Sequence, residues 1–254
     1  MKTLRTLQEA VTYAGDFLKN TGQICHIPHW QGVQAPADMF EAHDLYFRVP
    51  LPRDIWYLQG AIKCNHVWAE EHFQERISGI PYNPPPSNER WPHRQKNNDE
   101  FKADDKFSHT YPERFWPKEA GGGSRNTGIR YDLGDLNDFI NQLNKDPYTR
   151  QAYLPIFFPE DTGGIDGQRV PCTLGYHFMQ RSGYLHMTYI IRSCDYFRHF
   201  KDDIYMAIRL AQYVLAELKS KDTETWGNCH LGYFKMIVFN LHIFAPEEKL
   251  LYKK

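Results

Sequence analysis

The chain has 254 residues, enough for one large domain or two small ones and for a sizeable core. Its 30 Lys+Arg balance 31 Asp+Glu to a formal net charge of −1. No global field therefore draws in nucleic acid or an anionic membrane, and any anion must be held by a local cluster. An aromatic content of 15% marks a packed chain. No apolar run of about 18 residues offers a membrane span, and no signal-peptide core follows Met1–Arg5. The five cysteines (25, 64, 172, 194 and 229) contain no C-x-x-C pair. That argues against a disulfide framework or a structural zinc site, and for a reducing cytoplasm.

In chain order, Leu7, Ala10, Val11, Ala14, Phe17 and Leu18 recur at helical spacing and predict a helix over 6–19, stopped by Asn20-Thr21-Gly22. Ile55-Trp56-Tyr57-Leu58 follows Pro50 and Pro52 and opens a second helix. From about 78 to 130, Pro84-Pro85-Pro86, Asn97-Asn98 and Gly121-Gly122-Gly123 alternate with charges and isolated aromatics. This reads as a long, loop-rich surface insertion in an otherwise single domain spanning 1–254. Asp135 caps a helix carrying Leu136, Phe139, Ile140 and Leu143, which ends before Pro147. Strands follow at Gln151–Phe158, Thr173–Gln180 and Tyr184–Ile191, the last two joined by a turn at Arg181-Ser182-Gly183. Asp202 or Asp203 starts a helix with Ile204, Ala207, Ile208, Ala211, Val214, Leu215 and Leu218 on one face, and Phe234–Phe244 is a final apolar strand. The order argues α+β with a mixed sheet packed by helices.

Cys172 stands at the start of one hairpin strand, and Arg192-Ser193-Cys194-Asp195 at the end of its neighbour. A lone free cysteine is most often a small buried hydrophobe, and a lone arginine a surface residue. The hairpin changes that reading, because the first residue of one strand and the last of its partner can face each other. A guanidinium beside a thiol favours the thiolate and lowers its pKa from about 8.5. Asp195 adds an acceptor nearby.

Pro171-Cys172, a strand, a Gly turn and Arg192-Ser193-Cys194-Asp195 resemble the active-site core of the thymidylate synthase and deoxycytidylate hydroxymethylase family. Asp135–Arg150 is similar to the family's helix and phosphate-binding arginine segment. Weaker echoes are Pro159-Glu160-Asp161, Trp56-Tyr57-Leu58-Gln59-Gly60, Val67-Trp68 and His242-Ile243-Phe244. The resemblance implies a homodimer formed through a sheet face, and a reaction at C5 of a pyrimidine nucleoside monophosphate with methylenetetrahydrofolate as co-substrate and no metal. Cys172 would add to C6, splitting one difficult substitution into easier steps. Arg192 and Ser193 would hold the phosphate, joined by Arg150 across the dimer interface. His242 would contact the nucleotide, Trp68 the folate, and Asp195 the base or the pterin.

The family's uracil-specific members carry an asparagine eleven residues after the motif arginine; here that position is Asp203. An ionised carboxylate only accepts hydrogen bonds, so it repels O4 of uracil and accepts from the 4-amino group of cytosine. Sharing a proton with ring N3 would satisfy both cytosine groups. The resemblance is closest to the cytosine-specific hydroxymethylase branch, which implies conversion of deoxycytidylate to its 5-hydroxymethyl derivative and a setting such as phage DNA modification in a host cytoplasm. Asp203 or Asp202 could equally be a helix cap.

Several family features are absent. Arg53 stands where the family has a catalytic glutamate, with Asp54, Glu70 and Glu71 as substitutes, Asp54 being the one carried as catalytic. Gln151 replaces a second arginine, and Lys19 is a poor stand-in for an N-terminal phosphate-loop arginine. Phe244 replaces a sugar-binding tyrosine, which keeps cytidylate open beside deoxycytidylate. Twelve residues after His242 leave little chain to close over a folate, which favours water capture over hydride transfer. Thymidylate synthesis from deoxyuridylate and a non-catalytic nucleotide-binding homologue are the alternatives. Trp91-Pro92-His93-Arg94-Gln95-Lys96 reads as a solvated loop before a nucleic-acid patch, and Cys25-His26-x-x-His29 as loop residues before metal ligands.

Overall fold

The structure, a computed structural model, describes residues 1–30, 33–93, 102–120, 133–162 and 169–253. Strand β1 (Lys2–Thr3) leads to helix α1 (Leu7–Thr21), strands β2 (Gln23–Cys25), β3 (His29–Trp30) and β4 (Val33–Gln34), and the long β5 (Met39–Pro50). Helices α2 (Ile55–Ala61) and α3 (His66–Ile77) follow, then a 3-10 turn (Pro86–Arg90), the small hairpin β6 (Lys102–Ala103) and β7 (Lys106–Phe107), and helices α4 (Tyr111–Phe115), α5 (Pro117–Ala120) and α6 (Leu136–Lys145). The rest comprises β8 (Tyr153–Pro155), α7 (Pro159–Thr162), β9 (Thr173–Arg181), β10 (Tyr184–Asp195), α8 (Phe200–Lys221), α9 (Thr223–Trp226), β11 (His230–Phe244) and a 3-10 segment (Ala245–Tyr252). The architecture is α+β, as expected.

Among the described residues the main sheet has seven strands in the order β1-β5-β11-β10-β9-β8, with β2 also on the outer edge of β5. It is mixed: β10–β11 and β1–β5 are parallel, and the other pairs are antiparallel. The β9–β10 hairpin turns through Ser182 (φ 52°) and Gly183 (φ 78°), the two left-handed residues a tight hairpin requires.

The pleat of the three central strands carries the information that shapes the site. Leu185, Met187, Tyr189 and Ile191 of β10 face the core, but the next buried residue is Cys194. In β11, Phe234, Met236 and Val238 are followed by Leu241 and Ile243; in β5, Val49, Phe47 and Leu45 are followed by Ala42 and Phe40. Ile191, Val238 and Leu45 are paired neighbours, as are Cys194, Leu241 and Ala42. The inside–outside alternation therefore slips by one residue at the same level in all three strands, with Asp44 taking a left-handed φ of 63° on β5. Beyond the slip, the polar row Asp195–His242–Glu41 and the pair Ser193–Asn240 open into a cavity.

Helix α8 packs its apolar face, from Ile204 to Leu218, on this sheet, and α1 packs on β5. Phe47 joins the layers, meeting Phe200 of α8 and Phe234 of β11 edge-on, with centroids 6.4 and 6.3 Å apart. The other sheet face leaves Tyr46, Tyr153 and Tyr184 exposed, with Ile190 and Ile237 half-buried between them.

Three expectations change. The stretch 108–117 is not surface loop: Thr110 caps α4 in a capping box with Glu113, and Pro112–Pro117 are buried. Residues 94–101 and 121–130 of the insertion lie outside the described residues. The strand expected at 151–158 is only β8, because Ile156 and Phe157 both turn their N–H groups to one carbonyl, Leu174. Neither Asp202 nor Asp203 caps α8; His199 takes the N-cap position, and both aspartates lie in the first turn. Replacing Phe47 by Ala should lower the unfolding free energy by about 3–5 kcal/mol in a denaturant titration; a loss under about 1 kcal/mol would mean that Phe47 does not join sheet to helix.

Candidate active site

A cavity of about 650 Å3 opens where the slipped strand ends meet α3, the start of α8 and the 107–111 segment. Cys172, Arg192, Ser193, Asp195, Asp203, His242 and Trp68 all line it. Asp54 and Arg150 do not: Asp54 is exposed and caps α2 by accepting from Trp56 N at 2.7 Å, and Arg150 is exposed beyond α6. Asp54 is thus a helix cap, and its expected catalytic place is not in the cavity. Glu70 is tied to Arg209 and the Tyr205 hydroxyl, and Glu71 to Arg90, so neither substitutes for it. Lys19 lies over the Tyr252 ring.

Arg192 reaches back across the strand pair. Its N–H donates to the Cys172 carbonyl at 2.9 Å, Nε to the Pro171 carbonyl at 2.9 Å and Nη2 to the Val170 carbonyl at 3.1 Å. The side chain fixes the backbone that carries the thiol and retains three N–H groups for an anion. Thr173, the next residue, is fully buried and links the Tyr111 and Tyr189 hydroxyls at 3.2 and 2.9 Å. Asp195 accepts Phe197 N, Arg198 N and Arg198 Nη1, all at 2.9 Å, while Arg198 also grips Glu247. His242 Nδ1 pairs with the Asn240 side chain at 2.9 Å. Cys194, the inner thiol of the motif, is buried and donates to Asp203 Oδ2 at 3.7 Å.

Burial dominates the electrostatics. It pushes the Cys172 thiol up, Asp203 adds to that, and Arg192 and Arg169 pull the other way without prevailing. The expected standing thiolate is therefore corrected: in the free site the sulfur is a neutral thiol, since one guanidinium shared with two carbonyls does not offset desolvation. Burial drives Asp203 up to about 7, Arg76 opposing and Asp202 reinforcing; burial also raises Asp202 to about 6. Burial holds His199 at about 4 and His109 at about 3, so both rings are neutral near pH 7.

Sequence reasoning missed several lining residues: His72, Arg76, Tyr111, Arg169, His199 and Asn240. Trp91 is not part of the solvated loop expected at 91–96: its ring stacks on His199 at 5.3 Å and approaches Trp68 at 6.4 Å, forming an aromatic wall. Arg94, Gln95 and Lys96 lie outside the described residues. His26 bonds Asp38 at 2.8 Å, and no group of three or more His, Cys, Asp or Glu among the described residues is placed to hold a metal ion. Likewise, no helix among them is long and apolar enough to cross a membrane.

The fold so assembled, a mixed sheet with a kinked end and a long helix on one face, is of the thymidylate synthase type. Among solved structures it is similar to thermostable thymidylate synthase A from Bacillus subtilis, with a TM-score of 0.68 at 14% identity, covering 98% of this chain and 83% of that one. At that identity the likeness is one of fold. No protein-family model matches the chain.

Because the folded-state pKa of Asp203 and of Asp202 lies above the unfolded value, the folded protein keeps protons that the unfolded chain releases. Their contribution is favourable below about pH 4 and is lost as pH rises through 6–7. Asp203→Asn removes one share. Its Tm should gain on wild type by about 3 °C or more between pH 5 and pH 8; parallel Tm curves would show that Asp203 is already ionised at pH 5.

Proposed function

We propose that the protein is a pyrimidine nucleotide C5-hydroxymethyltransferase acting on deoxycytidylate with methylenetetrahydrofolate. The supporting observation is that Cys172, just before β9, Arg192 of β10 and Asp203 of α8 line one cavity. Phosphate meets the free N–H groups of Arg192 and the Ser193 hydroxyl, since a guanidinium fork matches phosphate oxygens. The pyrimidine lies between Cys172 and Asp203. Cys172 adds to C6, losing its proton as the C–S bond forms, and C5 becomes nucleophilic. Methylenetetrahydrofolate supplies the one-carbon unit when bound. The Trp91–His199 stack, Trp68 and Asp195 fit a flat pterin with hydrogen-bonding edges. After transfer, C5 loses its proton as the carbon–nitrogen bond to tetrahydrofolate breaks, and water adds to the resulting exocyclic methylene to complete a hydroxymethyl group.

Asp203, near its midpoint at pH 7, suits cytosine: its proton can lie between the carboxyl and N3 while the other oxygen accepts from the 4-amino group. The same near-neutral carboxyl favours a second reading. Protonated, it can donate to O4 and accept from N3–H, so thymidylate-type chemistry on deoxyuridylate is the alternative, strongest at low pH. A homodimer through the exposed tyrosine-bearing sheet face, with Arg150 delivered to the partner's phosphate site, completes the proposal; the Arg150 carbonyl holds His177 of that face at 3.0 Å.

Tritium at C5 of deoxycytidylate should be released to water when enzyme and methylenetetrahydrofolate are combined, and Cys172→Ala should abolish release. Asp203→Asn should move the cytosine-to-uracil preference by on the order of 10²–10⁴ toward uracil. Release from deoxyuridylate alone by wild type would establish the alternative; an unchanged preference in the variant would remove Asp203 from base recognition.

A further inference from the structure

Helix α3 presents Trp68, His72 and Arg76, at successive turns, to the cavity, and the chemistry above uses neither His72 nor Arg76. His72 is held by one nitrogen. Its Nδ1 lies 3.0 Å from Glu75 Oε2 and 3.0 Å from Ser87 Oγ. Ser87 in turn donates its N–H and its hydroxyl to the two Glu75 oxygens, both at 2.6 Å. Burial alone would raise the Glu75 carboxyl, but hydrogen bonds from His72 and Ser87 outweigh it and hold the group below the usual carboxylate range. A carboxylate only accepts, and the single Ser87 hydroxyl proton is already given to it. Nδ1 is therefore the donor, and Nε2 carries the lone pair.

Packing fixes the ring plane: Trp68 stacks on it at 5.2 Å and 19°, and Tyr111 meets it edge-on at 6.3 Å and 87°. One turn on, Arg76 is buried, with its guanidinium 4.0 Å over the Tyr111 ring. Its Nε has no hydrogen-bond partner, and no carboxylate among the described residues forms an ion pair with it. A fixed acceptor and an unneutralised donor thus stand side by side on the wall of a cavity. Water is the small molecule that takes a hydrogen bond from one and gives a proton to the other.

We propose that His72 Nε2 and Arg76 hold the attacking water, and that His72 is its general base. This rests on the hydroxymethyl-transfer reading. The water oxygen bonds to the exocyclic methylene carbon at C5 of the Cys172-bound pyrimidine, and one water proton passes to Nε2. The methylene π pair moves into the ring; the ring then restores its C5–C6 double bond by expelling Cys172 as thiolate, which recovers the proton from His72. Burial first, and Arg76 second, press His72 down to about 4, so the imidazole is neutral and its lone pair available throughout the neutral range. Glu75 takes up the positive charge that grows on the ring as the proton arrives, the part played by the third group in base-assisted sites.

The test uses the 254-residue chain with C5-tritiated deoxycytidylate, methylenetetrahydrofolate and 2-mercaptoethanol, reading tritium release and product masses in one assay. Tritium release reports the steps before water enters. A thiolate captures the same methylene without needing a base. With His72→Gln, tritium release should stay within about threefold of wild type while hydroxymethyl product falls about 100-fold relative to it, replaced by the thioether. Glu75→Gln, which keeps the imidazole and removes the charge behind it, should shift the same ratio about tenfold, and it decides the matter where His72→Gln loses tritium release altogether. Hydroxymethyl product that keeps pace with tritium release in these variants overturns the inference. Absence of tritium release from wild type overturns the hydroxymethyl-transfer reading itself, a separate outcome.

Discussion

The arrangement depends on Arg192 closing the end of the β9–β10 pair. Its amide and two of its guanidinium nitrogens bind the carbonyls of Cys172, Pro171 and Val170 in succession, where the ladder would otherwise fray. Those three hydrogen bonds set the position of the sulfur and leave the outer guanidinium edge facing the cavity. A lysine, with one compact ammonium, could not brace two carbonyls and present a flat donor edge at once. On the proposed function, position of nucleophile and position of anion are thereby one constraint.

That constraint acts because the pleat slips at the same level in β5, β10 and β11. Without the slip, Ser193, Asn240 and His242 would continue the core-facing parity of Ile191 and Val238 and meet the helix layer. With it, Cys194, Leu241 and Ala42 fill the core, and the polar row turns to the cavity. Burial then settles the charges: Cys172 rests as a thiol, His199 and His109 are neutral and Asp203 is near its midpoint. Among the described residues, Arg192 and Arg76 remain on the cavity wall as guanidinium cations with no ion-paired carboxylate.

The sequence was most legible where covalent connection fixes register. One hairpin joins Cys172 to Arg192, so their proximity followed from counting residues, and Asp203 lies in the first turn of the helix that follows the strand. Helix α1 and the Asp135 cap of α6 were equally open, because their stripes and caps are unbroken. Strand β5 was not seen, although it is central, because the slip at Asp44 interrupts its alternation: Glu41, His43 and Asp44 break the apolar period. Helix α3 was hidden for a different reason. Its inward face interleaves Trp68, Ala69 and Phe73 with His72 and Arg76, which breaks the apolar stripe, and the i, i+4, i+8 spacing of Trp68, His72 and Arg76 was the signal available. Asp54 was misplaced for want of a third dimension: an N-cap and a catalytic carboxylate look alike in one sequence.

The central claim is that the sulfur of Cys172 is the atom that bonds the pyrimidine. It is tested most directly by incubating the protein with 5-fluorodeoxycytidylate and methylenetetrahydrofolate, because fluorine at C5 cannot leave as a proton does and the adduct stalls. Peptide mass spectrometry should then find the nucleotide and the one-carbon carrier on the peptide containing Cys172. An unmodified Cys172, or an adduct on Cys64 or Cys194 instead, would contradict the account.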